Sequence, residues 1–194
     1  PYLDITVQVA RAFGLALELE ERADALVLHV AGGQRPAAVD FSVEADWSSA
    51  AFPLVGAALL GRGLALEGLD RRSPQGDRVV AELVGRFGPE VSWADGRLAL
   101  RPAPLRPVAE VDLGACPDLF PALVVLAASA PGTTTFVGAP SLRHKESDRI
   151  AAMAQGLAAA GVRCVERPDG LVVHGGGARR PASIRSHHDH RIYM

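Results

Sequence analysis

The chain has 194 residues, 48% of them apolar and 22% charged, with a net charge of −2. That balance permits a sizeable core and gives no electrostatic reason to expect nucleic acid or an acidic membrane surface as partner. The longest apolar stretch, LFPALVVLAASAP, is interrupted by prolines and falls short of the roughly 20 residues that span a bilayer. Cys116 and Cys164 lack metal or redox spacing, so a reduced, cytoplasmic protein is expected.

The chain opens at PYLDITVQV without an initiator Met and closes at DHRIYM, where an apolar, helix-like run begins, so it is expected to be a fragment. LDITVQVARAFG (3–14) reads as a helix and LALELEERADALVLHV (15–30) as two strands about an acidic turn. AGGQRPAAVDF (31–41) is rich in Gly and Pro and is the best linker candidate. SSAAFPLVGAALLGRGLALEGL (48–69) gives an apolar helix, a Gly, then a strand. GDRVVAELVGRFG (76–88) is a helix, and VSWADGRLAL forms two strands around Asp95-Gly96.

The pattern then recurs. PDLFPALVVLAASAPGTTTFVGA (117–139) matches 48–69, down to Phe-Pro at 52–53 and 120–121. SDRIAAMAQGLAAAG (147–161) matches 76–88, with Asp-Arg ahead of each helix and Asp77 and Asp148 71 residues apart. VRCVERPDGLVVH adds two strands around Asp169-Gly170, and ASIRSHHDHRIYM starts a further copy. The unit is helix, strand, helix, strand, strand, about every 70 residues, an α/β architecture. Ile150, Met153, Ala154 and Leu157 follow the spacing of one buried helix face, with Ser147 or Asp148 as N-cap and Gly161 past the end. Trp47 and Trp93 read as packing residues.

Chemistry concentrates in SLRHKESDR (141–149). Lys145 is the single lysine in a chain with 19 arginines. A helix N-terminus favours anions, and Lys145 with Arg149 would make a local site for phosphate or carboxylate. Arg offers a rigid fork, whereas Lys offers a compact charge that can also transfer a proton. Glu146, between those cations, can take part in proton transfer. The plainer alternative is a set of solvated capping residues. Against it, the matching loop RRSPQGDR keeps Asp and Arg but has neither Lys nor Glu, which leaves the Asp-Arg pair as a helix-capping device. Asp118, an acid opening an apolar helix, is either an N-cap or a functional carboxylate. Arg191 is either surface charge or a second anion clamp. The histidines of SHHDHR adjoin one another along a loop, so no metal site is expected from them.

PYLDITVQVARAFG, VEADWSSAAFPL, SPQGDR, PDLFPAL, LRHKESDRIAAM and DHRIYM, in this order and spacing, resemble the EPSP synthase (3-phosphoshikimate 1-carboxyvinyltransferase) family along essentially the whole chain. The resemblance implies two domains, each of three βαβαββ units forming an inside-out α/β barrel, incomplete here. Residues 1–42 would be the tail of the first domain plus linker, and 43–194 most of the second. It implies transfer of the enolpyruvyl group of phosphoenolpyruvate to the 5-hydroxyl of shikimate 3-phosphate, without cofactor or metal. Asp118 would take the proton of the attacking hydroxyl, Lys145 would contact the shikimate substrate near it, and Glu146 would protonate the enol methylene. Arg149 and Arg191 would clamp phosphoenolpyruvate, with His190 beside them. Ser141 stands where some relatives carry an Asn that helps bind shikimate 3-phosphate. Family groups that hold the shikimate phosphate are missing from these residues, so the chain alone is expected to be inactive, needing the rest of a monomeric enzyme. The competing readings are the sister UDP-N-acetylglucosamine enolpyruvyl transferase and a non-catalytic phosphate-binding paralogue.

Overall fold

A computed structural model describes residues 1–194. Helix α1 (Tyr2–Ala12) leads into the antiparallel hairpin β1 (Leu17–Glu21) and β2 (Leu26–Val30), a two-stranded sheet by itself. The segment 34–46, which includes part of the expected linker, carries no helix or strand. Then come α2 (Trp47–Leu60), β3 (Leu64–Leu66), a 3₁₀ turn at Gly76–Val79 running into α3 (Val80–Arg86), β4 (Glu90–Ala94) and β5 (Arg97–Arg101). The last unit is complete: β6 (Glu110–Asp112), a 3₁₀ turn at Pro117–Leu119, α4 (Phe120–Ser129), β7 (Gly132–Val137), a 3₁₀ turn at Pro140–His144, α5 (Arg149–Ala159), β8 (Arg163–Arg167) and β9 (Gly170–Gly175). A short α6 (His190–Tyr193) follows.

The repeat read from the sequence is the repeat of the fold. One sheet runs β3-β5-β4 and the other β6-β7-β9-β8, so β3, β4 and β5 stand as β7, β8 and β9 do. β6 pairs parallel with β7 across the α4 crossover. The earlier unit forms no such first strand. One rung remains in its place, Ala45 N donating to Gly68 O at 3.0 Å, where the later unit has Leu113 N donating to Val137 O at 2.9 Å.

The two apolar helices begin differently for a local reason. Asp46 caps α2, accepting from Ser48 N at 3.0 Å and Ser49 N at 3.1 Å. The Phe-Pro match puts Gly114 at the corresponding position, and glycine has no side chain to cap with. The later helix therefore starts at Phe120, after a 3₁₀ turn that contains Asp118. α2 and α4 pack on each other over one continuous core that includes Trp47, Leu54, Leu123, Leu126, Phe120 and Phe136. Trp47 meets Trp93 edge-on at 6.0 Å between ring centroids, the packing role expected of both.

Of the hairpin signals, Asp95-Gly96 is the two-residue turn expected: Ala94 pairs with Arg97, and φ is 49° and 74°, as a type I′ turn requires. The second signal is displaced by one residue. Arg167 pairs with Gly170, so the turn is Pro168-Asp169, and Gly170 belongs to the strand. Its glycine answers a close approach: a Cβ there would stand 2.0 Å from the Phe136 carbonyl oxygen on β7.

α5 buries Ile150, Met153, Ala154 and Leu157 as its spacing predicts, and Gly161 after it takes φ 88°. Asp148 is its N-cap, accepting from Ala151 N at 3.0 Å, and pairs with Arg143 at 2.9 Å. Asp148→Ala is expected to cost about 1 kcal/mol, the usual worth of a lost N-cap, in urea unfolding at neutral pH. Burial alone would raise this carboxyl, but the Ala151 N–H and Arg143 bring it below its ordinary value. A depressed folded value means the contribution is present above the unfolded carboxyl's range and is lost as pH falls through the folded one. The variant and the parent should therefore converge in acid. No helix is long and apolar enough to cross a membrane.

Candidate active site

Arg149, the first residue of α5, points inward and is 1% exposed. A guanidinium so deeply buried needs compensating charge and hydrogen bonds, and three carboxylates supply them. Its Nε and Nη2 donate to Asp189 Oδ2 and Oδ1 at 2.8 and 3.2 Å, Nη1 to Asp118 Oδ1 at 2.9 Å, and Nη2 to Glu146 Oε2 at 2.7 Å. Asp118 also faces Lys145 Nζ at 3.3 Å and Arg191 Nη2 at 3.4 Å. Three cations and three carboxylates thus interlock where the turn before α4, the loop before α5 and the start of α6 meet.

Asp189 organises one side of the cluster. Its carboxylate takes two bonds from Arg149, one from Ser147 Oγ at 3.1 Å and one from Arg191 N at 3.0 Å, the last making it the N-cap of α6. Burial would raise its titration, but the Arg149 hydrogen bonds and charge hold it below the ordinary carboxylate value. Burial likewise pulls at Arg149, and its acidic partners override that and raise it.

Beside the cluster opens a cleft of about 570 Å³, whose lining includes Asp118, Arg191, Tyr2, Asp46, Ser48 and Asp77. The loop SPQGD is stitched to the start of α2. Gln75 donates to Ala45 O at 3.1 Å and accepts from Trp47 N at 2.8 Å, and Ser73 Oγ donates to Glu44 at 2.7 Å. Asp77 is buried there; Ser48 Oγ donates to its Oδ2, and its Oδ1 has no partner. Burial, and then the nearby Asp118, push this carboxyl up, against the Ser48 bond. Tyr2 is pushed up to about 12, by burial first and then by Asp118 and Asp77, so its hydroxyl remains a donor.

Of the residues singled out from sequence, Asp118, Lys145, Glu146, Arg149 and Arg191 are brought together. Ser141 is exposed on the 3₁₀ turn at Pro140–His144, and His190 is exposed at the start of α6, neither with a side-chain bond into the cluster. Asp118 is no helix cap: its carboxylate is spent on cations. The two Asp-Arg pairs do not share one role: Asp148 caps α5, and Asp77 turns into the protein. Sequence reasoning missed Asp189, Asp77, Ser48 and Tyr2. Asp189 had a signal, an acid directly ahead of the short helix that carries Arg191.

A family model described as EPSP synthase (3-phosphoshikimate 1-carboxyvinyltransferase) matches residues 1–194. Curated proteins named 3-phosphoshikimate 1-carboxyvinyltransferase are 39% identical over 194 residues in Methanocorpusculum labreanum and 40% over 196 in Methanothrix thermoacetophila. Both alignments take in all of this chain and 44% and 45% of the relative, so the chain spans less than half the length of these relatives. A solved EPSP synthase from Acinetobacter baumannii aligns at a TM-score of 0.75 and 33% identity, over 96% of this chain and 45% of that one. An enolpyruvyl transferase from Streptomyces tendae, 24% identical at a TM-score of 0.63 over 89% of this chain and 39% of that one, shares the fold.

Proposed function

The chain belongs to the EPSP synthase family, and on that premise we propose that its ion cluster is one wall of a site that moves the enolpyruvyl group of phosphoenolpyruvate onto the 5-hydroxyl of shikimate 3-phosphate. The observation that carries this is the meeting of Asp118, Lys145, Glu146, Arg149 and Arg191 at one place. A transfer between two anionic substrates needs cations to hold them and carboxylates to move protons.

Asp118 takes the proton of the attacking hydroxyl, and Lys145 holds the shikimate substrate beside it. Glu146 delivers a proton to the enol methylene as the new C–O bond forms, giving a tetrahedral intermediate. It later takes a proton from the resulting methyl group as the C–O bond to phosphate breaks and inorganic phosphate leaves. Arg149 and Arg191 neutralise phosphoenolpyruvate, with His190 alongside and Ser141 toward the shikimate substrate. No cofactor enters this scheme, and the work is done in the cytoplasm.

Residues 1–42 belong with the first domain of such an enzyme and 43–194 with the second. In support, only Val7 and Leu17 are buried before residue 43, too few for a core. The substrates then lie between this chain and the remainder of a monomeric enzyme, and the 194 residues alone do not turn over.

The test is phosphate release from phosphoenolpyruvate and shikimate 3-phosphate. It is run on the chain alone and on a chimaera in which the chain replaces the matching part of the M. labreanum relative. Activity is expected in the folded chimaera only. A folded chimaera inactive with this pair, or active instead with a nucleotide sugar, defeats the reading; turnover by the isolated chain defeats the division of labour.

A further inference from the structure

Asp77 has no part in the chemistry above, yet it faces the same cleft as Asp118 and Arg191 while being 4% exposed. Ser48, in the first turn of α2, pins its Oδ2. Its Oδ1 is buried without a hydrogen-bond partner, which carries a desolvation cost that nothing in this arrangement offsets. An acceptor held in this way is prepared for a donor that arrives in another state of the site.

Most donors nearby are unsuitable. The Gln75 amide is committed to Ala45 O and Ser48 Oγ to Asp77 itself, while Arg72 and Tyr2 are exposed. Arg191 differs. Its backbone N–H is fixed by Asp189, but its guanidinium is held only by Asp118 Oδ2 at 3.4 Å, the longest ion contact in the cluster.

Asp118 is the other partner of that guanidinium. Its Oδ1 is shared by Lys145 and Arg149, whereas Oδ2 meets Arg191 alone, so a substrate hydroxyl at Oδ2 would share the oxygen with the arginine. We infer that Asp77 is a positioning residue whose free Oδ1 receives the Arg191 guanidinium when an anion enters the cleft, opening Asp118 Oδ2 while keeping the arginine's charge in the site. This rests on the anion-binding part of the function proposed above. It also assigns a task to the SPQGD loop and its stitching to α2, which hold Asp77 and Ser48 in register.

The test is titration of inorganic phosphate into the 194-residue chain, followed by calorimetry and by the NMR signals of arginine side-chain N–H groups. A carboxylate that merely lined the cleft would repel phosphate, and neutralising it would tighten binding. The inference demands the opposite sign. Asp77→Asn should weaken phosphate binding about tenfold, and adding Arg191→Lys to it should cost less than Arg191→Lys costs alone, because the two are coupled. Ser48→Ala, which keeps the carboxylate but unpins it, should move affinity the same way and supplies the answer if Asp77→Asn does not fold. Unchanged or tighter binding in the folded variants, or losses that add, overturns the inference alone. A wild-type chain that binds no phosphate overturns it together with the anion-clamp reading.

Discussion

Arg149→Met is expected to remove about 3–5 kcal/mol of folding stability, the usual consequence of deleting one partner of a buried ion pair. Methionine matches the length of the arginine stem, so the loss comes from charge. Asp189 is 1% exposed and would keep a negative charge with no cation opposite it. Asp118 would retain Lys145 and Arg191, and Glu146 would turn to solvent, so Asp189 bears most of the penalty. At roughly 2–4 °C per kcal/mol for a chain of this size, the melting midpoint should fall by about 10 °C. The deficit should also depend on pH. In the parent, Arg149 depresses the Asp189 carboxyl, so that stability is complete above the unfolded carboxylate value, about 3.9, and is lost as pH falls through the lower folded one. The variant lacks that contribution, so the two unfolding curves should be furthest apart near neutrality and approach each other in acid. A loss under 1 kcal/mol at pH 7 would mean that the cluster is not coupled to folding.

Glu146→Gln should leave folding almost untouched and lower turnover of the chimaera by roughly 10²–10⁴-fold, the range for a removed general acid–base. The amide oxygen can still accept from Arg149 Nη2, which reaches Oε2 at 2.7 Å in the parent. What it cannot do is give up or recover a proton. The effect should fall on kcat, with KM for either substrate changed little. A drop below tenfold would take the proton-transfer role away from Glu146.

The repeat was legible because it is written in local chemistry. Glycines at chain reversals, an Asp-Gly turn with both φ positive, and the four-residue face of α5 depend on neighbours within a few positions. The one-residue error at Pro168-Asp169 arose where the same glycine letter had another cause: Gly170 is small because β7 passes close to it, which only the sheet reveals. The same limit governs the site. KESDR announced its Lys, Glu and Arg by their contrast with RRSPQGDR, but the partner of Arg149 lies 40 residues on, at Asp189. Asp77 and Asp148 occupy one motif and part company in space. Asp148 stands just outside its helix, while Asp77 falls inside a 3₁₀ turn packed where a Cβ on Gly76 would meet the Ala115 carbonyl oxygen at 2.2 Å. No periodicity in the sequence separates those two outcomes.

Lys145, 3.3 Å from Asp118, is the single lysine among 194 residues. Within these 194 residues, amine-selective reagents therefore find one side chain, and it lies inside the ion cluster. A fluorophore or isotopic methyl group introduced by such chemistry would report on the candidate site without engineered labels. In the 194-residue chain a lysine-specific protease has one bond to cut, between Lys145 and Glu146, and the time it takes to do so measures how often that loop leaves its place.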